Sequence, residues 1–139
     1  MTTFVPAKTL VVDWLNASTL TGRGHVLPGG VHVREPRSPG VGAYAVVTVI
    51  ASTPDRGQAT LHTSRLSITV RSGQHGAAET AAVAVANLLA GVVDGPPVVL
   101  PGAVLQEVTG INGPTELVQF DRTDAYLIDA DYLFQPIES

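Results

Sequence analysis

The sequence predicts an α+β fold: a mainly antiparallel β-sheet packed against two helices, in the order α-β-β-β-α-β-β. Three observations predict it. Two stretches place apolar residues at helical spacing, while the remaining ordered stretches read as strands. The strands come in runs instead of alternating with helices, which argues against βαβ winding. The 139 residues show neither internal repeat nor linker, so 1–139 is expected to be one domain.

Ala7 to Ser18 is the first helix. Leu10, Val11, Trp14 and Leu15 form its apolar stripe, and Asp13 and Asn16 face away. Pro6 suits a helix start; Gly22 and Gly24 stop it. Thr21 to Pro28 is a polar connection closed by the Pro28-Gly29-Gly30 turn. Val31-His32-Val33-Arg34 alternates with period two and reads as a short strand. Glu35 to Gly42, with two prolines and two glycines, is expected to be an exposed loop. Ala43 to Ser52 is apolar on both faces, the pattern of a strand covered on both sides and central in its sheet.

Thr53 to Gly57 is a turn signal, and Thr60 to Arg71 is the next strand. Leu66, Ile68 and Val70 share one face of it; Arg65, Ser67, Thr69 and Arg71 share the other. Tyr44–Ser52 and Leu61–Arg71 therefore form an expected antiparallel hairpin. Gly76 to Val92 is the second helix, with Ala81, Val85, Leu88, Leu89 and Val92 at helical spacing and Asp94-Gly95-Pro96-Pro97 ending it. Val98 to Glu107 is strand-like, interrupted by Pro101-Gly102. Val108 to Ile111 extends it up to a turn at Asn112-Gly113-Pro114, and Glu116 to Phe120 is a further short strand. The last strand is Ala125 to Phe134, with Tyr126, Ile128, Ala130, Tyr132 and Phe134 on one face and Leu127, Asp129, Asp131 and Leu133 on the other.

Composition narrows the function. Apolar residues make up 45% and charged residues only 14%, below the roughly 25% charged share of ordinary domains. A disordered chain is excluded, and so much apolar content with so few charges suggests that another subunit covers part of the surface. Without cysteine there are no disulfides, thiolate metal sites or thiol nucleophiles. Met1 to Val12 lacks the features of a signal peptide, and the most apolar stretch, Ala77 to Val93, is interrupted by Glu79, Thr80, Asn87 and Gly91. The expectation is a soluble chain with no membrane partner.

Net charge is −4, but it is unevenly spread. Residues 1–71 carry seven basic side chains against three acidic, net +4; residues 72–139 carry Arg122 alone against nine acidic, net −8. Such asymmetry marks an electrostatic partner or complementary self-association, unless the two halves interleave in space and cancel.

Catalytic signatures are missing. No G-x-S-x-G, H-E-x-x-H, P-loop or G-x-G-x-x-G motif occurs, and Gly22-Arg23-Gly24 precedes no helix signal. His25, His32, His62 and His75 lack metal-pair spacing, although His32 and His62 would approach if their strands paired. Asp129 and Asp131 put two carboxylates on one strand face. With Asp121 or Asp124 they offer the one catalytic or cation-binding alternative, a small ligand-binding or hydrolytic domain. The competing readings for this pair are a plain solvated face and a subunit interface or lumen, which Leu127 and Leu133 beside them favour. Arg65 and Arg71 mirror the pair on another strand; without aromatic residues on that face, contact with carboxylates of a neighbouring subunit fits better than nucleic acid. Catalytic, cofactor and metal residues are thus expected to be none, and the protein is read as no enzyme.

In its order of elements the chain resembles the tail terminator proteins of long-tailed phages. The resemblance lies in Leu66-Ser67-Ile68-Thr69-Val70-Arg71 running into the Ala-rich helix Ala77–Ala90, then Gly113-Pro114-Thr115-Glu116-Leu117, the loop Val118 to Thr123 and the closing strand Tyr126–Phe134. Other head-to-tail connectors and minor virion proteins share this size and fold. The resemblance implies a structural virion protein that assembles in the host cytoplasm. Its copies would form a ring, expected to be a hexamer, which caps the tail tube protein, ends tube polymerisation and offers a surface to the head–tail connector. DNA would only pass through the lumen. Arg65, Arg71, Asp129 and Asp131 are then candidates for the subunit interface or lumen, and the loop with Glu35 and Arg37 is a candidate for docking.

Overall fold

The computed structural model describes residues 6–22, 24–37, 42–54, 62–74, 76–93, 95–117 and 124–136. Its elements are α1 (Ala7–Ala17), β1 (Val31–His32), β2 (Tyr44–Pro54), β3 (His62–Ser72), α2 (Ala77–Val93), β4 (Val98–Leu100), β5 (Ala103–Leu117) and β6 (Asp124–Pro136). The strands form one sheet in the order β1-β2-β3-β6-β5-β4. Only the β1–β2 pairing is parallel. This is the expected α+β domain, with two helices and a mostly antiparallel sheet.

Strand alternation builds the core. Ala45 and Val47, Leu66, Ile68 and Val70, Ile128, Ala130 and Tyr132, and Leu105 and Val108 lie on one face through their registers, and all are buried. Both helices cover this face. α1 contributes Leu10, Val11 and Leu15, and α2 contributes Ala78, Ala81, Ala82, Val85 and Leu89, to the same apolar cluster. Alanines at the buried positions of α2 allow its axis to lie close to the sheet. In the last turn of α1, the Asn16 side chain accepts from Val31 N–H and donates to Val31 C=O, both at 2.9 Å, and so anchors β1. The pair copies the two bonds of a strand ladder, which explains why a two-residue strand is held in place.

Three expectations about the strands are corrected. The Asn112-Gly113-Pro114 segment is no turn: β5 runs unbroken from Ala103 to Leu117, absorbing extra residues as register shifts between Leu105 and Glu107, Thr109 and Asn112, and Asn112 and Thr115. The true reversal lies at Pro101-Gly102, where Gly102 has φ +96° and makes β4 and β5 a hairpin. β2, expected to be central and covered on both sides, is second from the edge. Its neighbour β1 reaches only Ala45 and Val46, and Thr48, Val49 and Ile50 are exposed.

Candidate assembly surface

All described helical cover lies on one side of the sheet, so among the described residues the opposite face is uncovered. β2 presents Val46 and Thr48 there, and β3 presents Arg65, Ser67, Thr69 and Arg71. β6 adds Leu127, Asp129, Asp131 and Leu133, and β5 adds Thr109 and Asn112. The four charged residues singled out in the sequence therefore share one face, and register decides which of them meet. Arg65 is directly opposite Asp131, and its Nη1 lies 3.2 Å from Asp131 Oδ2. Arg71 lies six residues further along β3, opposite Tyr44 on one side and Ala125 on the other.

Arg65 and Asp131, both candidates for the subunit interface or lumen, thus pair within one chain. Both side chains remain about one third exposed, at 34% and 36%, so the pair is worth only about 0.2–1 kcal/mol. Gly110, at φ +62°, belongs to the same spot: a Cβ there would come within 3.3 Å of Asp131 Oδ2. The β5 bulge thereby brings bare backbone against the ion pair.

Asp129 has a different environment. It stands opposite Ser67 and Asn112, and its Oδ1 is buried without a hydrogen-bond partner among the described residues. The hydroxyl of Tyr132, on the core side, is likewise buried and unpartnered. Burial, and secondarily the charge of Asp129, pushes that phenol well above its ordinary pKa. Asp124 is drawn elsewhere, its Oδ2 accepting from Gly76 N–H at 3.5 Å ahead of α2, while Asp121 lies outside the described residues. Among the described residues, no three His, Asp or Glu side chains gather closely enough to hold a metal ion. The strands of His32 and His62 do not pair either, since β1 pairs with β2 and His32 is opposite Val46.

The docking-loop candidates separate too. Glu35 accepts a hydrogen bond from the Tyr44 hydroxyl, which ties the start of that loop to the sheet. The His32 ring packs edge-on against Tyr44 with centroids 6.3 Å apart and completes the corner. Arg37 is exposed, and residues 38–41 lie outside the described residues.

The feature that sequence reading left open is where the two charge populations lie. β1, β2 and β3 fill one half of the sheet; β6, β5 and β4 fill the other. The sequence halves do not interleave. Among the described residues, the first half carries Lys8, Arg34, Arg37, Arg65 and Arg71 against Asp13 and Glu35. The second carries Glu79, Glu107, Glu116, Asp124, Asp129 and Asp131 with no basic side chain. The acidity is felt locally: partial burial, then Glu116, Glu79 and Asp124, raise the Tyr126 phenol above its usual pKa. The domain is bipolar along the sheet, and the Arg65–Asp131 pair straddles its midline. No helix of the described residues is long and apolar enough to cross a membrane. No protein-family model and no curated protein matches the chain.

Proposed function

We propose that the protein works by assembly and not by catalysis, as a ring-forming structural component of the tail-terminator kind. The observation that carries this reading is the segregation of basic and acidic side chains onto opposite halves of one sheet. A monomer gains nothing from such a separation. Identical copies do gain, because the basic flank of one meets the acidic flank of the next in a heterologous contact, and contacts of that kind form rings where the rotation closes.

The resemblance supplies the rest. The ring, a hexamer on this reading, caps the last ring of the tail tube, stops its growth and offers its free face to the head–tail connector. Carboxylates facing the lumen, Asp129 and Asp131 among the candidates, repel the passing DNA and keep it from adhering. Such a protein resides at the head-proximal end of the virion tail. Another head–tail connector remains the nearest alternative. A hydrolytic role for Asp129 and Asp131 is less well supported, because Asp131 is engaged by Arg65.

The test is removal of the gene, followed by electron microscopy of the particles made. Tails of uncontrolled length that do not join heads support the terminator reading. Tails of normal length contradict it.

A further inference from the structure

The two lateral edges of the sheet are apolar and complementary in charge. On the basic side β1 pairs only with Ala45 and Val46, so among the described residues no strand lies beside β2 from Val47 onward. Val49 and Ile50 are 44% and 52% exposed there, with a bulge between Val49 and Ala51. Arg34 and Arg37, both exposed, follow β1 on this flank. On the acidic side β4 pairs only with β5, and Val99 is 75% exposed. Toward the helices the same strand borders an apolar groove of about 490 Å³, lined by Trp14, Leu88, Val92, Pro96, Pro97 and Val98. Glu107, exposed on β5, begins the acidic flank beside it.

Neither 44–54 nor 96–102 contains a charged residue. Exposed strand edges are normally defended by charge or by bulges. The free part of β5 is defended in both ways, with Glu107, Glu116 and repeated register shifts; β2 has one register shift, between Val49 and Ala51, and no charge.

Building on the assembly reading above, we infer that copies of this chain join head to tail through these edges. Val49 and Ile50 of one copy seat in the groove and against Val99 of the next. β4 is too short for a long backbone ladder, so apolar side chains make most of the contact. Charge selects the partner edge. Joining two β2 edges would oppose Arg34 and Arg37 to their own copies, and joining two β4 edges would oppose two acidic flanks. Only the β2-to-β4 contact brings opposite signs together. Because the two edges are different surfaces at opposite ends of one sheet, each copy keeps one edge free for the next, and the contact propagates until it closes.

Two full-length variants test this, each with a carboxylate placed on one edge: Val49→Asp with Ile50→Asp, and Val99→Asp. All three positions are solvent-exposed, and circular dichroism verifies that both variants fold. Sedimentation at low salt is expected to show wild-type oligomers and two monomeric variants. An equimolar mixture of the variants retains one intact contact per pair, so it should form a 1:1 heterodimer and nothing larger. A variant that assembles like wild type, a mixture that stays monomeric, or a wild type that is monomeric at low salt overturns the inference. The terminator reading fails separately: assembly that obeys these rules without capping tail tubes removes that reading and keeps the contact. Capping by Val49→Asp with Ile50→Asp removes the contact and keeps that reading.

Discussion

Arg65 and Asp131 face one another across the β3–β6 seam, 3.2 Å apart, where the basic half of the sheet meets the acidic half. Because both side chains are one third exposed, their pairing orients the face more than it stabilises the fold. A double-mutant cycle with Arg65→Ala and Asp131→Ala, read by urea unfolding, should give a coupling of about 0.2–1 kcal/mol that shrinks with salt. A coupling several times larger would show that the pair is far less hydrated than its exposure implies.

Tyr132 lends itself to a sharper test, since its hydroxyl is buried without a partner among the described residues. Tyr132→Phe keeps the ring and its packing against Phe134, and removes only the unsatisfied polar atom. Stability should hold or rise by about 1 kcal/mol. The pH dependence has a definite sign. The folded phenol titrates above the ordinary value of 10.0, so the unfolded chain loses its proton first. Stability is therefore intact below about pH 10 and declines as pH rises beyond it. Tyr132→Phe should flatten the part of that decline due to this group; an unchanged alkaline profile would contradict the assignment.

The β5 glycines should differ in their tolerance. Gly113 has φ +111°, and a Cβ there would collide with the Leu127 carbonyl oxygen, a backbone atom that cannot step aside. Gly110 has φ +62°, and its nearest neighbour would be the movable end of Asp131. Gly110→Ala should cost about 1–2 kcal/mol through its left-handed backbone. Gly113→Ala should cost distinctly more, by thermal or urea unfolding. Equal costs would mean that the β5 backbone yields at Gly113.

Asp129 combines a buried oxygen that has no partner among the described residues with a place on the open face. Asp129→Ala removes the unsatisfied atom and should stabilise the isolated chain by up to about 1 kcal/mol. If the open face serves a partner or a lumen, the same change should impair assembly or DNA passage while leaving the fold intact. Lower stability of the isolated variant would show that Asp129 is satisfied in the folded chain.

Much of this was legible in the sequence. Period-two alternation in Leu66–Val70 and Tyr126–Phe134 correctly assigns which residues face the core, because one buried face demands it. The helices were legible for the same reason. Register was not: alternation puts Arg65 and Asp131 on exposed faces, yet only strand pairing shows that they meet within one chain. Gly113-Pro114 misled because turn chemistry is judged locally, whereas pairing along β6 carries β5 straight through it. Nor could the sequence locate the charge halves, since that depends on β6 lying beside β3. The groove at Trp14 gave no periodic signal, because α1, α2 and the Pro96–Val98 segment meet there from distant positions. The apolar two-faced pattern of β2 predicts central placement; it instead exposes Val49 and Ile50 beside a free stretch of edge.

Native mass spectrometry of the wild-type chain across ionic strength tests most directly whether oppositely charged flanks join the copies. The account predicts a closed oligomer at low salt, six chains on the terminator reading, whose share falls as salt screens the flanks while the apolar edge contacts persist. A monomer at every salt and protein concentration, or a two-chain complex indifferent to salt, would contradict it.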